Sequence, residues 1–231
     1  MKYRHLFFDL DHTLWDFDAN ARATLEHLHH ELQLHNKGVH DFEAFYKNYL
    51  AHNETLWNRY RLGKIKQDEL RLKRMWLSLL DFKIADEALA KEMSKLFLQM
   101  LPTRTLLFPH TVEVLNYLKA KGYTMHIITN GFEEVQLGKL QNCGLTAFFQ
   151  HVITSEGSNS LKPRPEIFQY AMSKAGANVA ESLMIGDGPD IDIAGAASVG
   201  MDSVYVNHIS QEKDPVATYT IFHLEELERI L

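Results

Sequence analysis

The sequence predicts an α/β fold, a parallel sheet covered by helices on both faces and interrupted after its first strand by an all-helical insertion. Three observations carry this. Short apolar runs rich in β-branched and aromatic residues recur at Tyr3–Leu10, Thr124–Thr129, His151–Thr154, Ser182–Ile185, Ser203–Val206 and Tyr219–Phe222, and read as strands. Segments of helical period lie between most of them, such as Val112, Leu115 and Leu118 before Gly122, and Ile167, Tyr170 and Ala171 before Gly176. That alternation is the signature of parallel strands joined by crossover helices. From about Asp16 to Leu106 the alternation stops and only helical patterns appear: Leu25, Leu28 and Leu32; Phe42, Phe45, Tyr46 and Tyr49; Met75, Trp76, Leu79 and Leu80. Roughly 90 residues is several times the usual link after a strand, so this stretch is read as a helical subdomain whose aromatic stripes form its own core.

A chain of 231 residues suits one core domain carrying an insertion, and 45% hydrophobic with 23% charged residues suits a globular core. Cys143 is the only cysteine, so no internal disulfide can form. The apolar stretch after Met1 is too short for a signal-peptide core, and no run approaches membrane-spanning length. The expected location is therefore cytoplasmic, with no membrane partner. A formal charge of −6 argues against a nucleic-acid polymer as partner, because that binding needs a basic face. A small phosphorylated metabolite remains open, since a local group of Lys, backbone N–H and metal can hold one phosphate whatever the global balance.

The carboxyl ends of parallel strands converge on one crevice. The first strand ends in Asp9-Leu10-Asp11-His12-Thr13-Leu14, the second in Thr129-Asn130-Gly131, and the fourth in Gly186-Asp187 with Asp192 five positions on. After the third comes a loop from Ser155 to Leu161 and then Lys162-Pro163. Turn chemistry would explain any one of these groups, but not why several strand ends supply different parts of one phosphate site. Asp9 is the candidate nucleophile, able to split hydrolysis into formation and breakdown of an acyl phosphate. Asp11 projects to the same side in an extended D-x-D and suits a general acid, then base. Two acids repel an incoming phosphate, so a divalent cation is required. Mg2+ would take Asp9, the backbone carbonyl of Asp11 and Asp187, with Asp192 as a ligand or as an acceptor for the ligand waters. Lys162 would balance charge on the phosphoryl group and on Asp9. The Thr129 hydroxyl and the N–H groups of Asn130 and Gly131 would bind the remaining oxygens.

These motifs, D-L-D-H-T-L, T-N-G, K-P and G-D-G-P-D-I-D in this order, resemble the four motifs of the haloacid dehalogenase-like hydrolase superfamily. The resemblance covers about Met1–Leu14 and Leu107–Asn207. It implies a Rossmann-like catalytic core over residues 1–14 and 107–231 and a helical cap over 15–106. By position, Asp9 matches the nucleophile, Asp11 the acid/base, Thr129 and Lys162 the phosphate ligands, Asp187 a magnesium ligand and Asp192 the second acid of the last motif, with Asp190 nearby. Asp11 points away from dehalogenase chemistry, whose enzymes lack that aspartate, and toward phosphoester hydrolysis. D-L-D-H-T-L-W-D with Leu56-Trp57-Asn58-Arg59-Tyr60 and Gly63 is most similar to the branch of 5′-nucleotidases acting on pyrimidine monophosphates. Gly188-Pro189 departs from the usual serine and following residue after the motif's first acid.

Other residues carry blander readings. His27, His29 and His30 lack the i, i+4 spacing of a helical zinc pair and read as a solvated face. Strand alternation turns His12 away from the two acids. Lys64 and Lys66 could form a Schiff base, as in related phosphonatases, but read as exposed charge. The competing functions are a phosphosugar mutase of the same superfamily and a binding module without turnover. Intact acids and Lys162 count against the latter.

Overall fold

The computed structural model describes residues 2–209 and 216–231. Six strands form one sheet: β1 (His5–Phe8), β2 (Thr124–Thr129), β3 (Phe149–Thr154), β4 (Ser182–Gly186), β5 (Asp202–Val206) and β6 (Tyr219–Ile221). Their order is β3-β2-β1-β4-β5-β6, and every neighbouring pair is parallel. The α/β class and all six expected strands are therefore present, with β1 shorter than the apolar run suggested. The order reverses between β1 and β4, since β2 and β3 continue on one side of β1 and β4 to β6 on the other. Such a switch point opens a crevice at the carboxyl ends of the two central strands.

Alternation sets the two faces. Phe7, Ile128, Ile153 and Met184 pack against Ile167, Phe168 and Ala171 of a helix at Pro165–Ala175 and against Ala196 and Met201. Leu6, Phe8, Ile127 and Ile185, at the intervening positions, are equally buried, as a sheet covered on both faces requires. The first helix in the chain is α1 (Phe17–Glu31), followed by α2 (Phe42–Arg61), α3 (Gln67–Leu80) and α4 (Glu87–Met100). The other helices are α5 (Thr111–Ala120), α6 (Glu133–Asn142), α7 (Ser155–Ser158), α8 (Pro165–Ala175), α9 (Ala194–Ser198) and α10 (Leu227–Ile230). The loop expected from Ser155 to Leu161 is thus in part α7, started by the Thr154 hydroxyl accepting from Gly157 N at 3.1 Å.

The chain divides into two compact units, residues 1–17 with 105–231 and residues 18–104. Trp15 and Phe17, grouped with the insertion on sequence grounds, belong to the sheet-containing unit. Trp15 is fully buried and bridges to Asp11 and Leu107. Within the helical unit the stripes pack as expected at Leu25, Leu28, Phe45, Tyr49, Met75 and Leu79, joined by Leu89, Met93 and Phe97 of α4. Leu80, expected in the stripe, is exposed. Asp41 and Asp86 cap α2 and α4 by accepting from Ala44 N and Leu89 N. Arg74 is buried with its guanidinium over the Phe97 ring, 4.8 Å from the centroid, and donates to Asn53 Oδ1 at 3.3 Å.

Gly195 lets α9 approach α8 closely. A Cβ there would lie 2.4 Å from the Phe168 ring and 3.1 Å from Pro163 Cα, the residue after Lys162. Gly195→Ala is expected to cost about 1–3 kcal/mol of stability through overpacking, read as a lower denaturant midpoint at unchanged m-value.

Candidate active site

Asp9 follows β1 directly, and its N–H donates to Ile185 O at 2.9 Å, so the central strand pair fixes its backbone. Its carboxylate meets the Lys162 ammonium, with Oδ1 2.8 Å from Nζ. Lys162 Nζ lies 2.7 Å from Asp192 Oδ1 as well, and the lysine is only 1% exposed. The lysine's main chain is held from the second strand end. Asn130 Oδ1 accepts from Lys162 N at 2.8 Å, and Asn130 Nδ2 donates to Lys162 O at 3.0 Å. Asn130 therefore contributes a side-chain clamp that the sequence reading, which gave it only a backbone N–H, did not contain.

At the fourth strand end, Thr13 Oγ1 donates to Asp187 Oδ1 at 2.8 Å and accepts from Asp187 N at 3.1 Å. Thr13 thus ties the first motif to the last, a role that its place in D-x-D-x-T signalled but spacing alone did not define. Gly188-Pro189 leads into a wide helical turn, Pro189–Ile193, closed by Asp192 N to Gly188 O at 2.7 Å and by Gly188 N to Asp192 Oδ2 at 2.9 Å. The turn swings the Asp192 carboxylate back over β4. A Cβ on Gly186 would lie 2.4 Å from Asp192 Oδ2, so glycine is required there. Asp192 is buried and Asp190 is exposed, which separates the two acids that the sequence left side by side.

Asp11 takes a different set of partners. Lys139 Nζ lies 2.5 Å from its Oδ1, and Gln136 Nε2 donates to its Oδ2 at 3.0 Å. Gln136 Nε2 donates also to Thr129 Oγ1, at 2.8 Å. Gly131 N donates to the same hydroxyl at 3.1 Å, so this N–H is used within the loop rather than aimed at a ligand. With both lone pairs of Oγ1 filled, the Thr129 proton is left to donate elsewhere. The helix after T-N-G begins at Glu133, with Phe132 in its N-cap position, so it starts later than expected. Gln136 and Lys139 were absent from the sequence reading. Their signal was two polar residues three apart on a helix, between Val135 and Leu140, and such spacing is ordinary on exposed faces.

The strand alternation used to orient His12 does not reach it, because the strand ends at Phe8 and His12 has φ of 62°. Its ring packs tilted against Phe17 at 5.2 Å, and its charge would act on Asp187.

Burial dominates the electrostatics. It pushes the Asp9 carboxyl well above its ordinary range, with Lys162 opposing and Asp192 and Asp187 reinforcing the rise. Asp187 is pushed up to about 6, by burial first and Asp192 second. Burial alone would lower Lys162, but Asp192 and Asp9 reverse this and hold it more firmly protonated than a free lysine. One ammonium thus faces three carboxylates. Asp9, Asp187 and Asp192 each offer an oxygen, all within 4.8 Å of one another. Hard oxygen donors with excess negative charge fit Mg2+, and Asp11 could add its backbone carbonyl while its carboxylate is engaged by α6. That arrangement could hold a phosphoryl group between a carboxylate nucleophile, an ammonium and a hydroxyl donor.

Residues 3–200 match the family model described as haloacid dehalogenase-like hydrolase. The chain belongs to that family. It is 31% identical to pyrimidine 5′-nucleotidase PynA of Streptococcus pneumoniae, over 98% of this chain and 94% of that protein. It is 30% identical to pyrimidine 5′-nucleotidase YjjG of Escherichia coli, over 100% of this chain and 99% of that protein. Among solved structures, the magnesium-bound putative HAD-hydrolase YfnB of Bacillus subtilis superposes with a TM-score of 0.89 at 27% identity, covering 100% of this chain and 99% of that one.

The raised Asp187 carboxyl gives a pH prediction. Because the folded state binds this proton more tightly than the unfolded chain, its contribution is full below pH 3.8 and is lost as pH rises through about 6. In chelator, the melting temperature of wild type relative to Asp187→Asn should therefore fall between pH 4 and 6. Added magnesium should reverse the trend, because the cation favours the ionised carboxylates. A difference that is flat with pH in chelator would contradict the carboxylate cluster as described.

Proposed function

We propose that this chain is a magnesium-dependent phosphatase that transfers the phosphoryl group of a small phosphomonoester to Asp9 and then to water, with nucleoside 5′-monophosphates, pyrimidine ones first, as substrates. The observation that carries the chemistry is the Asp9 carboxylate held 2.8 Å from a buried Lys162 inside a three-carboxylate cluster. The substrate class rests on the two full-length relatives named as pyrimidine 5′-nucleotidases.

In the first half-reaction Asp9 attacks phosphorus in line with the leaving alkoxide, and Asp11 gives that alkoxide its proton. In the second, water attacks the phosphorus of the acyl phosphate, its proton passes to Asp11, and Asp9 and inorganic phosphate are released. Lys162 balances the charge on the transferring group and opposes the rise that burial imposes on the Asp9 carboxyl. The Thr129 hydroxyl donates to a phosphoryl oxygen. Magnesium would be held by Asp9, Asp187 and the Asp11 carbonyl, with Asp192 as a further ligand or as an acceptor for its waters, and would supply the positive charge that lets a dianionic ester approach these acids. Residues 18–104 act as the cap that chooses the leaving group, since the core motifs engage only the phosphoryl group. Within that unit the Trp57 and Tyr60 rings meet edge to face, 5.7 Å apart. A base stacked on such a ring is worth roughly 1–3 kcal/mol.

Asp9→Asn should remove turnover while leaving the fold intact by circular dichroism, and turnover within tenfold of wild type would overturn the mechanism. Asp11→Asn should slow esters of poor leaving groups more than aryl phosphates, and equal losses across a leaving-group series would remove Asp11 from the acid role. In a phosphoester panel, pyrimidine 5′-monophosphates should show a higher kcat/KM than hexose phosphates, and Trp57→Ala should narrow the gap while sparing an aryl phosphate. Sugar phosphates exceeding every nucleotide tenfold would refute the nucleotidase reading and leave the phosphatase one standing.

A further inference from the structure

Asp11 is asked to act as an acid in one half-reaction and as a base in the other, and both roles need its carboxyl group aimed at the reacting oxygen. Both its oxygens face groups that can only donate. Lys139 brings an ammonium to Oδ1, and Gln136 brings an amide N–H to Oδ2. The amide orientation is fixed, because Nε2 serves Asp11 and Thr129 Oγ1 at once and so uses both its hydrogens. Lys139 is fixed too. It is 2% exposed, and its ammonium lies 4.2 Å from the Trp15 ring centroid and 5.8 Å from that of Phe17. Two donors from one helix, set against the two carboxyl oxygens, fix the direction of the Asp11 side chain. The Asp11 side chain remains 23% exposed, so its remaining lone pairs are open to solvent on the side away from α6.

We propose that Lys139, with Gln136, is a positioning residue that fixes the direction of the Asp11 carboxyl group and aims it at the water that cleaves the phosphorylated Asp9, so that with a leaving group needing no proton its loss falls on the second half-reaction. The inference rests on the phosphatase reading. The balance of the step is simple: one O–H bond of water breaks, its proton goes to Asp11, the new P–O bond forms, and the bond from phosphorus to Asp9 breaks to return a carboxylate. The proton on Asp11 then leaves with the next alkoxide. Without Lys139 the Asp11 carboxylate keeps one donor, loses its fixed direction, and meets the water less often in a productive pose. A leaving group that needs no proton, such as p-nitrophenolate, is expelled unaided in the first half-reaction, so only the second should suffer.

The test is rapid-quench kinetics on the full chain with p-nitrophenyl phosphate and magnesium, comparing wild type, Lys139→Met and Lys139→Arg. In Lys139→Met the first turnover of nitrophenol should stay within about threefold of wild type while steady-state turnover falls about tenfold or more, and a hydroxylamine-sensitive phosphoenzyme should accumulate. Lys139→Arg, which keeps a donor cation under the aromatic cover, should recover most of the turnover and abolish the accumulation. If Lys139→Met does not fold, Lys139→Gln replaces it in the same comparison. Turnover unchanged in Lys139→Met, or both phases slowed equally with no phosphoenzyme, would overturn the positioning role. Failure of the phosphatase reading would show differently, as wild type that releases no phosphate from any phosphomonoester.

Discussion

An ammonium buried among carboxylates is the constraint on which the site depends. Lys162 lies 2.7–2.8 Å from Asp192 and Asp9, with Asp187 completing the acidic cluster. Removing these charges from water is costly, and their attraction offsets the cost only where geometry is tightly held. Much of the local architecture does that holding. Asn130 grips the lysine main chain at both its N–H and its carbonyl, Thr13 fixes Asp187, and Gly188 N–H steadies Asp192. Gly186 leaves the space into which the Asp192 carboxylate folds. A single ammonium does not neutralise three acids, and this residual negative charge makes a hard divalent cation the natural complement of the cluster.

The fold was legible because each strand carries a local signal. β2 to β6 are short β-branched or aromatic runs, and parallel strands buried on both faces read as continuous apolar segments. The ends of β1 were overextended because Tyr3 and Leu10 are buried for reasons other than pairing. Trp15 shows a related limit: its bridges to Asp11 and Leu107 are tertiary contacts that no periodicity announces.

For the site, sequence order supplied the acids and Lys162, because motifs at strand ends must converge in an open parallel sheet. It did not supply the groups that orient them. Gln136 and Lys139 lie on a helix whose pattern resembles a solvated face, and only the packing of Trp15 and Phe17 over the lysine removes it from water. Asp190 and Asp192 were equivalent on paper until the wide turn after Gly188 turned one inward and the other outward. His12 illustrates the opposite error, an alternation rule carried past the point where the strand had stopped.

The position of β1 at the centre of the sheet has a consequence for how the protein comes into being. Its partners are Thr124–Ile127 on one side and Ser182–Ile185 on the other, so this strand is made long before either neighbour. Closing such distant pairs is slow compared with helix formation. The helices of residues 18–104 can form while β1 waits; β2 can pair with it first, and its other edge is covered only once β4 is available. Asp9 and Thr13 meet Lys162 and Asp187 in that same event, so the acids are drawn into a shared low-dielectric pocket only as the sheet closes. Until those partners are made the apolar segment Leu6-Phe7-Phe8, buried in the folded sheet, is unprotected, and the risk of aggregation would be concentrated in that interval.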